Sequence, residues 1–109
     1  MPHPLVTQDM IDAYQTDGVV MIKGLFADHV DALRDGVAAN MAEPGPYASD
    51  NKKEGQTGLC FDDYCNWTRI PQFREVIETS PAAEVAADLM QSKTVQMFHD
   101  HVLVKEPGT

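Results

Sequence analysis

Thr94-Val95-Gln96-Met97-Phe98-His99-Asp100-His101-Val102-Leu103-Val104-Lys105 is the stretch on which the fold reading turns. After Ser92 the pattern changes from a helical period to an extended, β-rich one, in which residues two apart share a face. That rule sets Val95, Met97, His99, His101, Leu103 and Lys105 on one side of a long strand. Gln96, Phe98, Asp100, Val102 and Val104 fall on the other. A strand of this length predicts a sheet for it to join.

Working outward from this strand, the preceding residues read as helices. Ser80-Pro81 supplies an N-cap and a first helical position, with Val85 and Leu89 as anchors, and Pro71 starts another helix whose Phe73, Val76 and Ile77 form a compact apolar face. Further upstream, Asp28 caps a helix in which Val30, Leu33, Val37 and Met41 trace one apolar stripe, ending near Ala42. Thr7 caps a first helix over Gln8 to Thr16, stopped by Asp17-Gly18, and the apolar run Val19-Val20-Met21-Ile22 reads as a buried strand. Residues 43–58, with Pro44, Gly45, Pro46, Gly55 and Gly58, read as a long loop of the functional or mobile kind. The sum is α+β.

Composition sets the outer limits. One small domain fits 109 residues, and 43% hydrophobic with 23% charged residues is globular rather than disordered. Lys and Arg number 8 against 17 Asp and Glu, and a net charge of −9 disfavours nucleic acid and anionic membranes as partners. No apolar window is long enough for a membrane span, and Met1-Pro2-His3-Pro4 has no leader pattern, which points to a cytoplasmic protein whose Cys60 and Cys65 are reduced thiols. The six methionines are expected to fill core gaps, and His3 and His29 to face solvent.

Chemistry concentrates on His99-Asp100-His101. Two imidazoles two apart on a strand share a face and could share a metal, but Asp100 points the other way, so the local facial triad of two histidines and a carboxylate is not complete. The reading adopted is that both imidazoles line a cavity as polar members of the strand. Lys105, on the same face, either meets a substrate carboxylate at a pocket mouth or is solvated. Phe61, Tyr64 and Trp67 around Asp62-Asp63 offer an aromatic wall or a satellite core beneath the long loop, and the satellite core is the reading adopted.

Two phrases, Tyr14-Gln15-Thr16-Asp17-Gly18-Val19-Val20-Met21-Ile22-Lys23-Gly24-Leu25-Phe26 and Phe98-His99-Asp100-His101-Val102-Leu103-Val104-Lys105-Glu106-Pro107-Gly108-Thr109, resemble the phytanoyl-CoA dioxygenase family. The middle stretch from Asp63 to Phe73, then Ser80-Pro81-Ala82-Ala83, is similar to bacterial members. The resemblance implies the N-terminal part of an oxygenase that uses Fe(II) and 2-oxoglutarate to hydroxylate a small organic substrate with O2, releasing succinate and CO2. It implies a double-stranded β-helix, a cupin-like jelly roll, of which this chain supplies helices and early strands.

In the family, an H-x-D pair follows the K-E-P-G-T phrase, and a second His and an Arg come later. No such pair follows it within these 109 residues, so the resemblance assigns no iron ligand here and implies that the chain alone is inactive. What it places on this strand is a wall of the cosubstrate pocket, with His101 looking onto 2-oxoglutarate and Lys105 and His99 on the same face. Open strand edges predict self-association. The alternative is a non-catalytic binding or assembly domain that completes its sheet with a partner chain.

Overall fold

The computed structural model describes residues 2–109, with four α-helices and a three-stranded antiparallel sheet. Helix α1 spans Gln8–Asp17, and α2 spans Val30–Ala42 after a short 3-10 turn, Ala27–His29. Strands β1 (Ser49–Asp50) and β2 (Cys60–Tyr64) follow, then α3 (Pro71–Thr79), α4 (Ala82–Met90) and β3 (His101–Lys105). The sheet order is β1-β2-β3.

Local signals explain the helices. The Thr7 side chain accepts from Met10 N at 3.2 Å, and Gly18 closes α1 at φ 76°, a left-handed value that suits glycine. Pro71 opens α3 at a position where its missing N–H costs nothing. Ser80 Oγ accepts from Ala82 N at 3.3 Å ahead of α4. Helices α1 and α4 pack together around Val6, Ile11 and Val85, with Ile22, Leu25 and Leu89 against them. Helices α2 and α3 form a second pair that covers one face of the sheet.

Five expectations are corrected. Residues 19–22 form no strand: Val19 is 69% and Met21 73% exposed, because no neighbouring strand takes up their backbone groups, and only Ile22 joins the core cluster. The strand expected over 94–105 begins at His101, since its partner β2 ends opposite at Tyr64 and Cys65 turns away at φ 64°. On α2 the buried positions are Gly36 and Asn40, while the stripe of Leu33, Val37 and Met41 borders open grooves. Met21, Met90 and Met97 are exposed rather than core fillers, and His3 and His29 are both half-buried, the His3 Nδ1 accepting from Leu5 N at 3.1 Å. Met1 lies outside the described residues.

The stretch 43–58 carries β1 and is tied back at several points. Asp50 accepts backbone N–H bonds from Lys52 and Cys60, which hold its carboxyl below the usual range. Thr57 N donates to Gly108 O at 3.2 Å, and Gly58 packs where a side chain would collide with the carbonyls of Glu106 and Pro107.

The result is an elongated molecule. Its radius of gyration is 16.2 Å, where a compact domain of 100 residues has about 13 Å. It exposes 7677 Å², against about 6,000 Å² for a compact monomer of this mass. Among the described residues no helix is long and apolar enough to cross a membrane.

The tight α2–α3 crossing is testable at Gly36. A Cβ there would lie 2.7 Å and 2.9 Å from carbons of the buried Phe73 ring. Gly36→Ala should therefore destabilise the chain by about 1 kcal/mol in denaturant unfolding, an overpacking cost that exceeds the helix-propensity gain. Equal or greater stability would show that the two helices do not meet there.

Candidate functional site

The candidate site is the uncovered face of the sheet. On β2, Phe61 and Asp63 turn inward while Cys60, Asp62 and Tyr64 turn the other way; on β3, Val102 and Val104 are half-buried while His101, Leu103 and Lys105 are exposed. Strand alternation thus delivers His101 and Lys105 to one face, as the sequence reading requires.

An aromatic group gathers at one end of this face. Tyr64 sits opposite His101 in the ladder, and their ring centroids are 5.4 Å apart. Tyr47, from the 43–58 stretch, stacks on Tyr64 at 4.7 Å with planes 12° apart. His99 lies 5.9 Å from Tyr64 and 6.0 Å from His101, and Phe98 meets His99 edge-on at 4.6 Å. Lys105 is at the other end of β3, opposite Cys60, and takes part in none of the ion pairs among the described residues. The structure therefore joins His99 to His101 and leaves Lys105 apart.

Tyr47 and the pairing of Tyr64 with His101 are what sequence reading missed. Tyr64 is directed to His101 by cross-strand register, which no local pattern reveals, and Tyr47 arrives from the stretch read as loop. The expected satellite core does not form: Phe61 is buried on the helix side, Tyr64 is on the open side, and Trp67 lies under the Arg74 guanidinium at 5.2 Å. A three-residue separation along β2 sends Phe61 and Tyr64 to opposite faces.

The imidazoles also differ from their expected setting, because both are exposed. The groove beside β3, about 380 Å³, runs between the strand and Leu33, Val37, Phe73, Val76 and Ile77 of the helices. Asp100 turns away from the histidines, accepting from Asn66 N at 3.1 Å and Trp67 N at 3.3 Å. No group of three His, Cys, Asp or Glu side chains able to hold a metal exists among the described residues. The string His29-Val30-Asp31 has an H-x-D form, but it lies at the start of α2, well before the K-E-P-G-T phrase. Cys60 and Cys65 are both free thiols.

Behind the site, a buried carboxylate fixes β2. Asp63 is fully buried and accepts from Asn40 Nδ2 at 2.9 Å, Gly45 N at 2.7 Å and Tyr64 N at 2.8 Å. Burial pushes its carboxyl up, but the bonds from Gly45, Asn40, Asn66 and Tyr64 outweigh this and hold it below the usual range.

No known family profile, curated protein or solved structure matches the chain.

Two measurements check this geometry. A carboxyl held below its ordinary value stabilises the fold above that value, and the contribution fades as pH falls through the lowered one. Unfolding free energy should thus decline on acidification below about pH 4. Asp63→Ala, which strands the Asn40 amide and Gly45 N–H, should cost about 3 kcal/mol at neutral pH and flatten that decline. An unchanged acid profile would remove Asp63 from this role. Separately, titration with Fe(II) should give no stoichiometric binding; a one-to-one isotherm abolished by His99→Ala and by His101→Ala would contradict the incomplete ligand set.

Proposed function

We propose that this chain is the N-terminal part of a phytanoyl-CoA dioxygenase-type Fe(II)/2-oxoglutarate oxygenase, contributing helices and early strands to a double-stranded β-helix. The observation that carries the reading is the Phe98–Thr109 phrase, whose His101–Lys105 segment is a strand with a bare face on one side and helices on the other. A helix-backed sheet with an uncovered inner face is what the early part of such a β-helix would present before its remaining strands close over it. The excess surface and the unfilled groove support the same reading.

The described residues do not fit the iron. His99 and His101 share a face, but Asp100 is committed to the Asn66 and Trp67 amides on the other side and no third ligand joins them. No reaction step is assigned to this chain. Its own residues have a binding role in this reading: His101, with His99 beside it, forms a wall of the cosubstrate pocket, and the Lys105 ammonium offers charge to a carboxylate. The substrate is a small organic molecule hydroxylated at a C–H bond, and the protein acts in the cytoplasm.

The free edge of β3 also suits the second reading, an assembly domain that completes its sheet with a partner chain.

The downstream reading frame discriminates between them. The oxygenase reading expects an H-x-D pair within about thirty codons of Thr109, the scale of one supersecondary unit. The longer product should then release succinate from 2-oxoglutarate. A stop codon directly after Thr109, or a continuation without the pair, would refute the reading.

A further inference from the structure

The hydrogen bonds that flank the β2–β3 ladder reveal which backbone groups of β3 are free. Glu106 N donates to Leu59 O at 2.8 Å and Cys65 N to Asp100 O at 3.1 Å, so the hydrogen-bonded pairs fall on the even-numbered residues, Val102 opposite Asp63 and Val104 opposite Phe61. In an antiparallel ladder a residue turns its N–H and C=O to the same side. His101, Leu103 and Lys105 therefore present both groups away from β2, where the sheet ends.

Edges of this kind are ordinarily blunted by charge, proline, a bulge or a covering element. This edge is not. From Thr94 to Lys105 the formal charges are Asp100 and Lys105, which cancel, and the Asp100 carboxylate is already engaged by two amides. In a chain of net charge −9 this is a neutral window, where two copies repel each other least.

We infer that two copies of the chain pair through these edges, antiparallel about a twofold axis at Leu103, to form a continuous six-stranded sheet. The register is self-complementary. Leu103 exchanges both backbone bonds with Leu103 of the partner subunit, and their side chains meet on the open face, where Leu103 is otherwise 72% exposed. On the helix side Val102 faces the partner's Val104, a β-branched pair that extends the apolar groove lined by Val37 and Ile77 across the junction. His101 faces the partner's Lys105, and residues 101–105 carry no acidic group; just beyond each end Asp100 falls opposite the partner's Glu106, but both carboxylates are already engaged, Asp100 by the Asn66 and Trp67 amides and Glu106 by Leu59 N. This pairing needs no iron, cosubstrate or catalytic role; it concerns the β3 edge as residues 2–109 leave it and rests on the assembly reading, since further strands of a β-helix would compete for the same edge.

Sedimentation equilibrium over a wide concentration range tests it. The chain should show a reversible monomer–dimer equilibrium. Leu103→Pro removes an N–H that is unused within the chain and puts a ring in the path of an added strand; it should weaken association about tenfold or more with unchanged far-ultraviolet circular dichroism. Leu103→Lys, which keeps every backbone group, should weaken it as well and serves if the proline variant fails to fold. A monomer at every concentration, or association insensitive to Leu103→Lys, would overturn the proposal.

Discussion

The buried Asp63 carboxylate is the constraint on which the rest of the structure depends. It accepts bonds from α2 through Asn40, from the following turn through Gly45, and from β2 itself through Tyr64 N, so three segments converge on two oxygens. Asn40 is fully buried as well, and its Oδ1 has no partner among the described residues. A buried ionised group without these donors would cost several kcal/mol, so its saturation fixes which face of β2 turns inward. A slip of one residue would send Asp63 to the open face and every other side chain with it.

That choice propagates. With Asp63 inward and paired with Val102, β3 must set Val102 and Val104 against the helices and His101, Leu103 and Lys105 on the bare face. The Tyr47, Tyr64, His99 and His101 group follows from the same register, because Tyr64 and His101 form a pair without backbone bonds, the closer kind for side chains. Asp100 then anchors the turn after β2 from the next strand position. The proposed pocket wall and the proposed dimer seam are two consequences of one parity.

Much of this was legible where the cause is local. The Thr7 cap, the Gly18 stop, Pro71 at the start of α3 and the alternation of 101–105 each need only neighbours in sequence, and each is present. What failed to show was whatever depends on a partner. Val19 to Ile22 has the composition of a strand but no ladder to join, and residues 94–100 lose theirs where β2 ends. The packing of α2 through Gly36 and Asn40 rather than through Leu33, Val37 and Met41 depends on Phe73 and Asp63, residues far away in sequence. The candidate site was legible for the shared face of His101 and Lys105; Tyr47, the pairing of Tyr64 with His101 and the separation of Lys105 from the histidines came only with the structure.

Amide hydrogen exchange in dilute solution tests that register most directly. The account predicts an alternation along the last strand: slow exchange at Val102, Val104 and Glu106, whose N–H groups face β2, and fast exchange at His101, Leu103 and Lys105, whose groups face the free edge. Slow exchange on the odd-numbered residues with fast exchange on the even ones would place β3 in the opposite register, turning the histidines toward the helices and contradicting the account.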